Sequence, residues 1–363
     1  MDELNEELQF PGKIAVITNP VEMKQDDYYS VDRLYAKYGT DKIIHITWPA
    51  DFISEQKQVE KTILNPAANP EVKALVINQV VSGTNAAVKK LKEIRSDIFI
   101  VYTTSVHDTI SEAIENADLL LIHNMVGCGS AMVKQAKKQG AKVFVYYSFP
   151  RHMAAPILAN SRDLVRETCL NEGLKFLELT ALDPADEPGI PAAQQFIQED
   201  VPKVVAEYGE DTAFYSTNCY LQAPLIKAVI DNHAIFIQTC CPSPFHGFPE
   251  ALGLKTGKGI SDLNKLINDI CSIAIEKNMT DRLSTWPVSA SMMYTNAGAE
   301  YAVKWLRGEV PKDHIDNKVL KECLDSYIED VIGEESYVHM ASYTEGDKTY
   351  NNFKMVLMSY LDF

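Results

Sequence analysis

The stretch ALVINQVVSGTNAAVKKLKEIRSDIFIVYT, Ala74–Thr103, decides the fold. Its apolar runs, Ala74–Asn78 and Ile98–Thr103, are short, rich in Val and Ile, and read as buried strands. Between them Val88, Leu91, Lys92 and Arg95 recur at helical spacing. Strand, amphipathic helix and strand make a βαβ unit, whose crossover is almost always right-handed. Working outward, strands fall at Ile14–Thr18 and Ile43–Thr47 on one side, and at Leu119–His123 on the other. A second series follows at Val143–Ser148, Phe176–Thr180, Ala213–Thr217 and Ile235–Thr239, with helical patterns between the strands. This alternation predicts an α/β protein with parallel sheets.

The strands are more than one open sheet ordinarily carries, so two Rossmann-like lobes are expected. Residues 12–142 with about 286–363 form the first and 143–285 the second, while 1–11 make a flexible acidic tail. The segment Pro287–Leu306 is expected to return to the first lobe as an extended piece and a helix. X–Pro breaks place the interlobe crossings near Phe149–His152 and Thr285–Val288.

Ligands of open α/β sheets bind beyond the carboxyl ends of the strands. Three ends close on an aromatic residue and proline, at Trp48, Phe149 and Trp286, and these rings are candidates for stacking on a ligand. Asn19, Gln79, Ser82, Thr104, His123, Asn124, Asn218 and Tyr220 bring neutral hydrogen-bonding groups to the same edge. Some of these equally suit helix caps, as Ser82 and Ser105 do. Arg151, beside His152, is suited either to clamping an anion or to an interlobe salt bridge.

Other motifs are weaker. Gly127-Cys128-Gly129-Ser130 is half a dinucleotide fingerprint, with Met132 where a third glycine belongs, and a tight turn before a helix accounts for it better. Cys219, Cys240, Cys241 and His246 could supply metal ligands or a thiolate, but their spacing matches no zinc pattern. They are expected to be cleft wall or buried thiols, with no metal and no cofactor. No nucleophile-elbow, Walker A or zincin string occurs, so the chain does not read as an enzyme.

The 34 Lys and Arg against 50 Asp and Glu give a net charge of −16, which disfavours nucleic acid as a direct partner. No run of 18 apolar residues exists to span a membrane. The start, MDELNEELQF, lacks the basic and apolar parts of a secretion signal, so the chain as it stands is expected in the cytoplasm. The alternative is a cell-envelope lipoprotein whose signal has been removed. Seven cysteines without scaffold spacing fit a reducing compartment.

DTAFYSTNCYLQAPLIKAVI, Asp211–Ile230, resembles the second-lobe strand–helix unit of type I periplasmic binding proteins and lactose-repressor effector domains. Arg162 and Gly173, in NSRDLVRETCLNEG, resemble the helix that leaves the first interlobe crossing in that class. YYSFPRHM, FYSTNC and CCPSPFHGFP resemble, more narrowly, a functionally uncharacterised bacterial family of the same class. The resemblance implies two lobes that close on a small solute. Most such relatives are exported with lipoprotein-type signals, and some are labelled transcriptional regulators. Two functions are therefore expected as alternatives. One is a solute-binding protein feeding a membrane transporter or receptor. The other is a cytoplasmic ligand-sensing regulator without its own DNA-binding headpiece, able to dimerise as repressor effector domains do.

Overall fold

The computed structural model describes residues 9–255, 261–333 and 338–363. The acidic start expected as a tail thus lies mostly outside the described residues, as does the Ser105 side chain. The chain divides into two compact units, Met1–His123 with Ala290–Val356, and Asn124–Ser289 with Leu357–Phe363.

The first unit is built on a seven-stranded sheet. Its strands are β1 (Lys13–Thr18), β2 (Ile43–Thr47), β3 (Val72–Val80), β4 (Phe99–Val106), β5 (Leu119–His123), β11 (Val338–Glu345) and β12 (Lys348–Met358), in the order β11-β12-β5-β4-β3-β1-β2. From β2 across to β12 the neighbours run parallel. The central strands β1 and β3 are buried almost throughout, because helices cover both faces of a parallel sheet. Val59, Ile63, Val88, Leu91 and Ala113 of three helices pack with Leu75, Ile77 and Ile100 in one core. The helix Ala290–Arg307 lies against β3 and β4, as expected for the returning segment. Gly298 permits this approach, since a Cβ there would sit 2.7 Å from Val101 Cγ1.

The second unit carries a four-stranded parallel sheet of β6 (Val143–Ser148), β7 (Lys175–Thr180), β8 (Thr212–Ser216) and β9 (Ile235–Phe236), ordered β7-β6-β8-β9. Strand β6 sends Phe144 and Tyr146 to one core with Met132, Val165 and Cys169. It sends Val145 and Tyr147 to another with Ile197, Val201 and Leu225, the alternation a strand imposes. Strand β9 stops at Phe236, short of the expected Thr239. A two-stranded antiparallel ribbon, β10 (Ser284–Thr285) with β13 (Leu361–Asp362), completes the unit.

The divisions differ from those expected. The helix Met125–Lys138, counted with the first lobe, belongs to the second unit because Cys128, Met132, Val133 and Ala136 pack into its core. The chain passes between units after His123, Ser289 and Val356. Phe149–His152 therefore lies inside the second unit, whereas Thr285–Val288 lies just before one passage. Gly127–Ser130 is helix interior and not a turn. Asn124 caps that helix, and Gly129 faces Ser161 O so closely that a Cβ would stand 2.7 Å away. Among the described residues no helix is long and apolar enough to cross a membrane.

Candidate ligand-binding site

Strands β3 and β4 pair regularly up to Asn78 and Thr103, then bulge and resume pairing at Val80 and Val106. Within the bulge Gln79 has φ +62° and Thr104 φ +71°. A left-handed backbone is uncommon outside glycine and an outlier for a β-branched threonine. Such strain gathers at functional sites, and bulges beside them re-aim side chains. The two strained residues hold each other, since Gln79 N donates to Thr104 Oγ1 at 3.0 Å.

The bulge feeds a polar network at the carboxyl ends of β1, β3 and β4. Asn19 Nδ2 donates to Gln79 Oε1 and to Asp27 Oδ2, the latter at 2.7 Å. Gln79 Nε2 lies 2.9 Å from His107 Nε2, and Asn78 Nδ2 donates to Ser291 and Thr295 at 2.9 and 2.8 Å. Asp27 is fully buried, accepts from Ser291 Oγ, and meets Lys24 Nζ at 2.9 Å. Burial raises the Asp27 carboxyl above its usual range, against the lowering effect of Lys24. Asn19 Oδ1 is buried and has no hydrogen-bond partner among the described residues. It is an acceptor set at a strand end with its hydrogen-bonding capacity unused.

Beside this network, Thr18 Oγ1 donates to Asn19 O at 3.0 Å and lies 2.8 Å from His45 Nε2. The hydroxyl's one proton is thus committed, so His45 Nε2–H is the donor of the second bond. Burial lowers the His45 pKa to about 4, which keeps this imidazole neutral.

The rim of the second unit is different. Asn218 Oδ1 accepts from Tyr220 N at 2.9 Å, so Asn218 caps the short turn that follows β8. Tyr220 stands 56% exposed. Arg151 makes a bidentate pair with Asp183 at 2.7 and 2.8 Å, and its guanidinium holds that carboxyl below the usual range. Since both residues belong to the second unit, this is no bridge between units. His152 Nδ1 lies 2.9 Å from Thr217 Oγ1, and burial lowers its pKa. Cys219 Sγ and Cys240 Sγ are 3.4 Å apart, and with a His246 ring nitrogen all three ligand atoms fall within 4.8 Å of one another. His246 Nδ1 is 3.1 Å from Cys241 O.

The three rings proposed for stacking are buried. Trp48 is 2% exposed, lies in the first unit's core, and spends its indole N–H on Asn78 O and Gln79 O at 3.1 Å each. Phe149 and Trp286 are buried as well, with Phe149 packed on His152 at 4.2 Å between ring centroids. Trp48 therefore shapes the bulge from beneath. Ser82 is exposed, and the helix after it starts from Gly83. Its first amides instead donate to Asp108, Gly83 N at 3.0 Å and Asn85 N at 2.9 Å. His123 and Asn124 end β5 and cap the next helix.

Sequence reasoning brought forward Asn19, Gln79 and Thr104, and these three are held together. It missed Lys24, Asp27, His107, Ser291 and Thr295. The pair His107–Asp108, following a strand, was the one available signal; nothing near Asp27 or Ser291 marks them.

A family model described as a protein of unknown function (DUF3798) matches residues 12–284. Two uncharacterised proteins of Treponema pallidum (strain Nichols) are similar. One is 30% identical over 178 residues, 47% of this chain and 80% of that protein. The other is 31% identical over 200 residues, 55% and 90% respectively. Among solved structures, a candidate transcriptional regulator from Clostridium difficile 630 superposes with a TM-score of 0.85 at 23% identity, over 98% of this chain and 100% of that one. The substrate-binding protein of a sugar ABC transport system from Bordetella parapertussis 12822 gives 0.54 at 10% identity, over 97% and 89%. An ABC transporter solute-binding protein from Bradyrhizobium sp. BTAi1, with bound Bis-Tris, gives 0.53 at 11%, over 82% and 78%. These likenesses establish the periplasmic-binding-protein type of fold.

Proposed function

This chain belongs to the DUF3798 family of proteins of unknown function, and we propose that it binds a compact, uncharged or zwitterionic solute. The solute takes hydrogen bonds from the strand carboxyl ends of the first unit's sheet. The observation that carries this reading is the strained pair Gln79 and Thr104 at the end of β3 and β4, beside the unused acceptor Asn19 Oδ1. A fold gains no stability from such strain, whereas a preorganised recognition site does gain affinity from it. The amide, hydroxyl and imidazole groups there suit a hydroxyl-bearing ligand such as a sugar, and two structures of like fold are named as solute- or sugar-binding proteins. The reading is recognition and not catalysis. A transporter or receptor in the membrane is the onward partner it implies.

A thermal-shift panel of sugars, nucleosides and amino acids tests this, because a ligand of the native state raises the melting temperature. At least one class should give a saturable rise of several degrees. A flat panel that stays flat in native mass spectrometry overturns the proposal. The Clostridium difficile structure favours a second reading, ligand sensing in gene regulation, since it matches along the whole chain. On that reading the hit should change the chain's dimerisation in sedimentation. On both, the purified chain should give no sequence-dependent shift of DNA at physiological salt.

A further inference from the structure

The Cys219–Cys240–His246 cluster lies in the second unit, on two segments that are each held in place. After β8, Gln222 Nε2 donates to Ser216 O at 3.1 Å and to Asn218 O at 2.6 Å, fixing the turn that begins at Cys219. The loop Cys240–Pro249 is stiffened by Pro242, Pro244 and Pro249. It is tied internally by Thr239 Oγ1 to Cys241 O at 2.8 Å. Its far end is anchored by the buried Phe248, 5.6 Å from Phe236 and 5.1 Å from Phe363 between ring centroids. Gly247, at φ +79°, seats the loop on the helix Gln222–Asp231, where a Cβ would meet Gln222 Cβ at 2.9 Å.

We infer that Cys219, Cys240 and His246 form a site for one thiophilic divalent cation, with Zn2+ as the reference ion. Two thiolates at the usual Zn–S length of about 2.3 Å in a tetrahedron stand about 3.8 Å apart. The observed Sγ–Sγ separation is 3.4 Å, and all three ligand atoms lie within 4.8 Å of one another, so side-chain adjustments bring them to one centre. A disulfide would need about 2.0 Å. The contact of His246 Nδ1 with Cys241 O is the second-shell bond that zinc-bound imidazoles commonly make, and it leaves the ring's lone pair on Nε2. Two thiolates neutralise the ion's charge, and three protein ligands leave a fourth position open to water or to a donor atom of a bound molecule. Cys241 is adjacent to Cys240 along the chain and stays outside the ligand set. The inference stands independently of the solute reading.

Cobalt titration of the reduced full chain tests it. Co2+ should produce, at one equivalent, the thiolate-to-metal charge-transfer band and the intense visible bands of a tetrahedral site, and Zn2+ should bleach both. Cys219→Ser, Cys240→Ser and His246→Ala should each weaken Co2+ binding at least tenfold, while Cys241→Ser leaves it within about threefold. Circular dichroism melts of each variant show that it remains folded. Absence of the charge-transfer band in the reduced parent overturns the site. So does a band that survives in the Cys219→Ser, Cys240→Ser double variant, and so does a peptide map joining Cys219 to Cys240 in metal-treated protein.

Discussion

The carboxyl ends of the two sheets are built from opposite materials. In the first unit, amides, a carboxylate and hydroxyls from the ends of β1, β3 and β4, the helix Gln25–Tyr29 and the helix Ala290–Arg307 lock into one buried network around Gln79 and Thr104. In the second, the polar groups are used in separate pairs or on nearby backbone. Asn218 caps a turn, Arg151 pairs with Asp183, and the thiols sit on a proline-stiffened loop with Tyr220 exposed. The first rim is rigid because its groups satisfy one another in low dielectric; the second is modular because its groups meet in separate pairs. On the proposed function, recognition by orientation is a task of the first rim.

Removing a network member should cost more than removing a local cap. Asp27→Ala leaves the donors of Asn19 and Ser291 without their acceptor, and should lower unfolding free energy by about 2–4 kcal/mol in urea. The matching cut in the second rim, Asn218→Ala, should cost only about 1 kcal/mol. Equal losses would erase the distinction between the rims.

Acid should act on the first rim through His45. Its folded pKa of about 4 lies below the unfolded 6.5, so the unfolded chain binds the proton first. Stability from this group is present above pH 6.5 and is lost as pH falls toward 4. Because the ring is partly exposed, the loss is discounted to about 1–2 kcal/mol. Asp27, with its raised carboxyl, contributes a slope of opposite sign, so the readout is the difference between parent and His45→Gln. The parent should lose more stability than His45→Gln across that window, and parallel curves would contradict the assignment.

Gln79→Gly separates strain from recognition. Glycine adopts φ +62° without steric cost, so stability should stay within about 1 kcal/mol of the parent while solute affinity falls. A large destabilisation with affinity unchanged would make Gln79 a structural residue. Tyr220→Ala should be smaller still, within about 0.5 kcal/mol of the parent's stability, since the ring is exposed.

Much of this was legible in the sequence. The buried runs of β1, β3, β4 and β6 announced themselves by composition, and the rule that ligands meet strand carboxyl ends led to Asn19, Gln79 and Thr104. Burial was not legible at Trp48, because a strand-terminal tryptophan before proline looks alike whether it lines a rim or supports one from below. Asp27 and Ser291 lie 264 residues apart, and only the returning helix brings them together. The strands β11 and β12 escaped notice because β11 and the first half of β12 lie mostly near the surface, and charged and polar residues interrupt their alternation. The helix Met125–Lys138 could not be assigned to a unit by its own pattern, which says that one face is buried but not against which sheet.

The most direct test of the central claim is calorimetric titration of the best thermal-shift hit into the parent and Gln79→Ala. The account predicts a negative heat-capacity change for the parent. It also predicts at least a tenfold loss of affinity in Gln79→Ala, with circular dichroism showing that the unliganded variant is folded at the titration temperature. Affinity in Gln79→Ala equal to the parent's would contradict it.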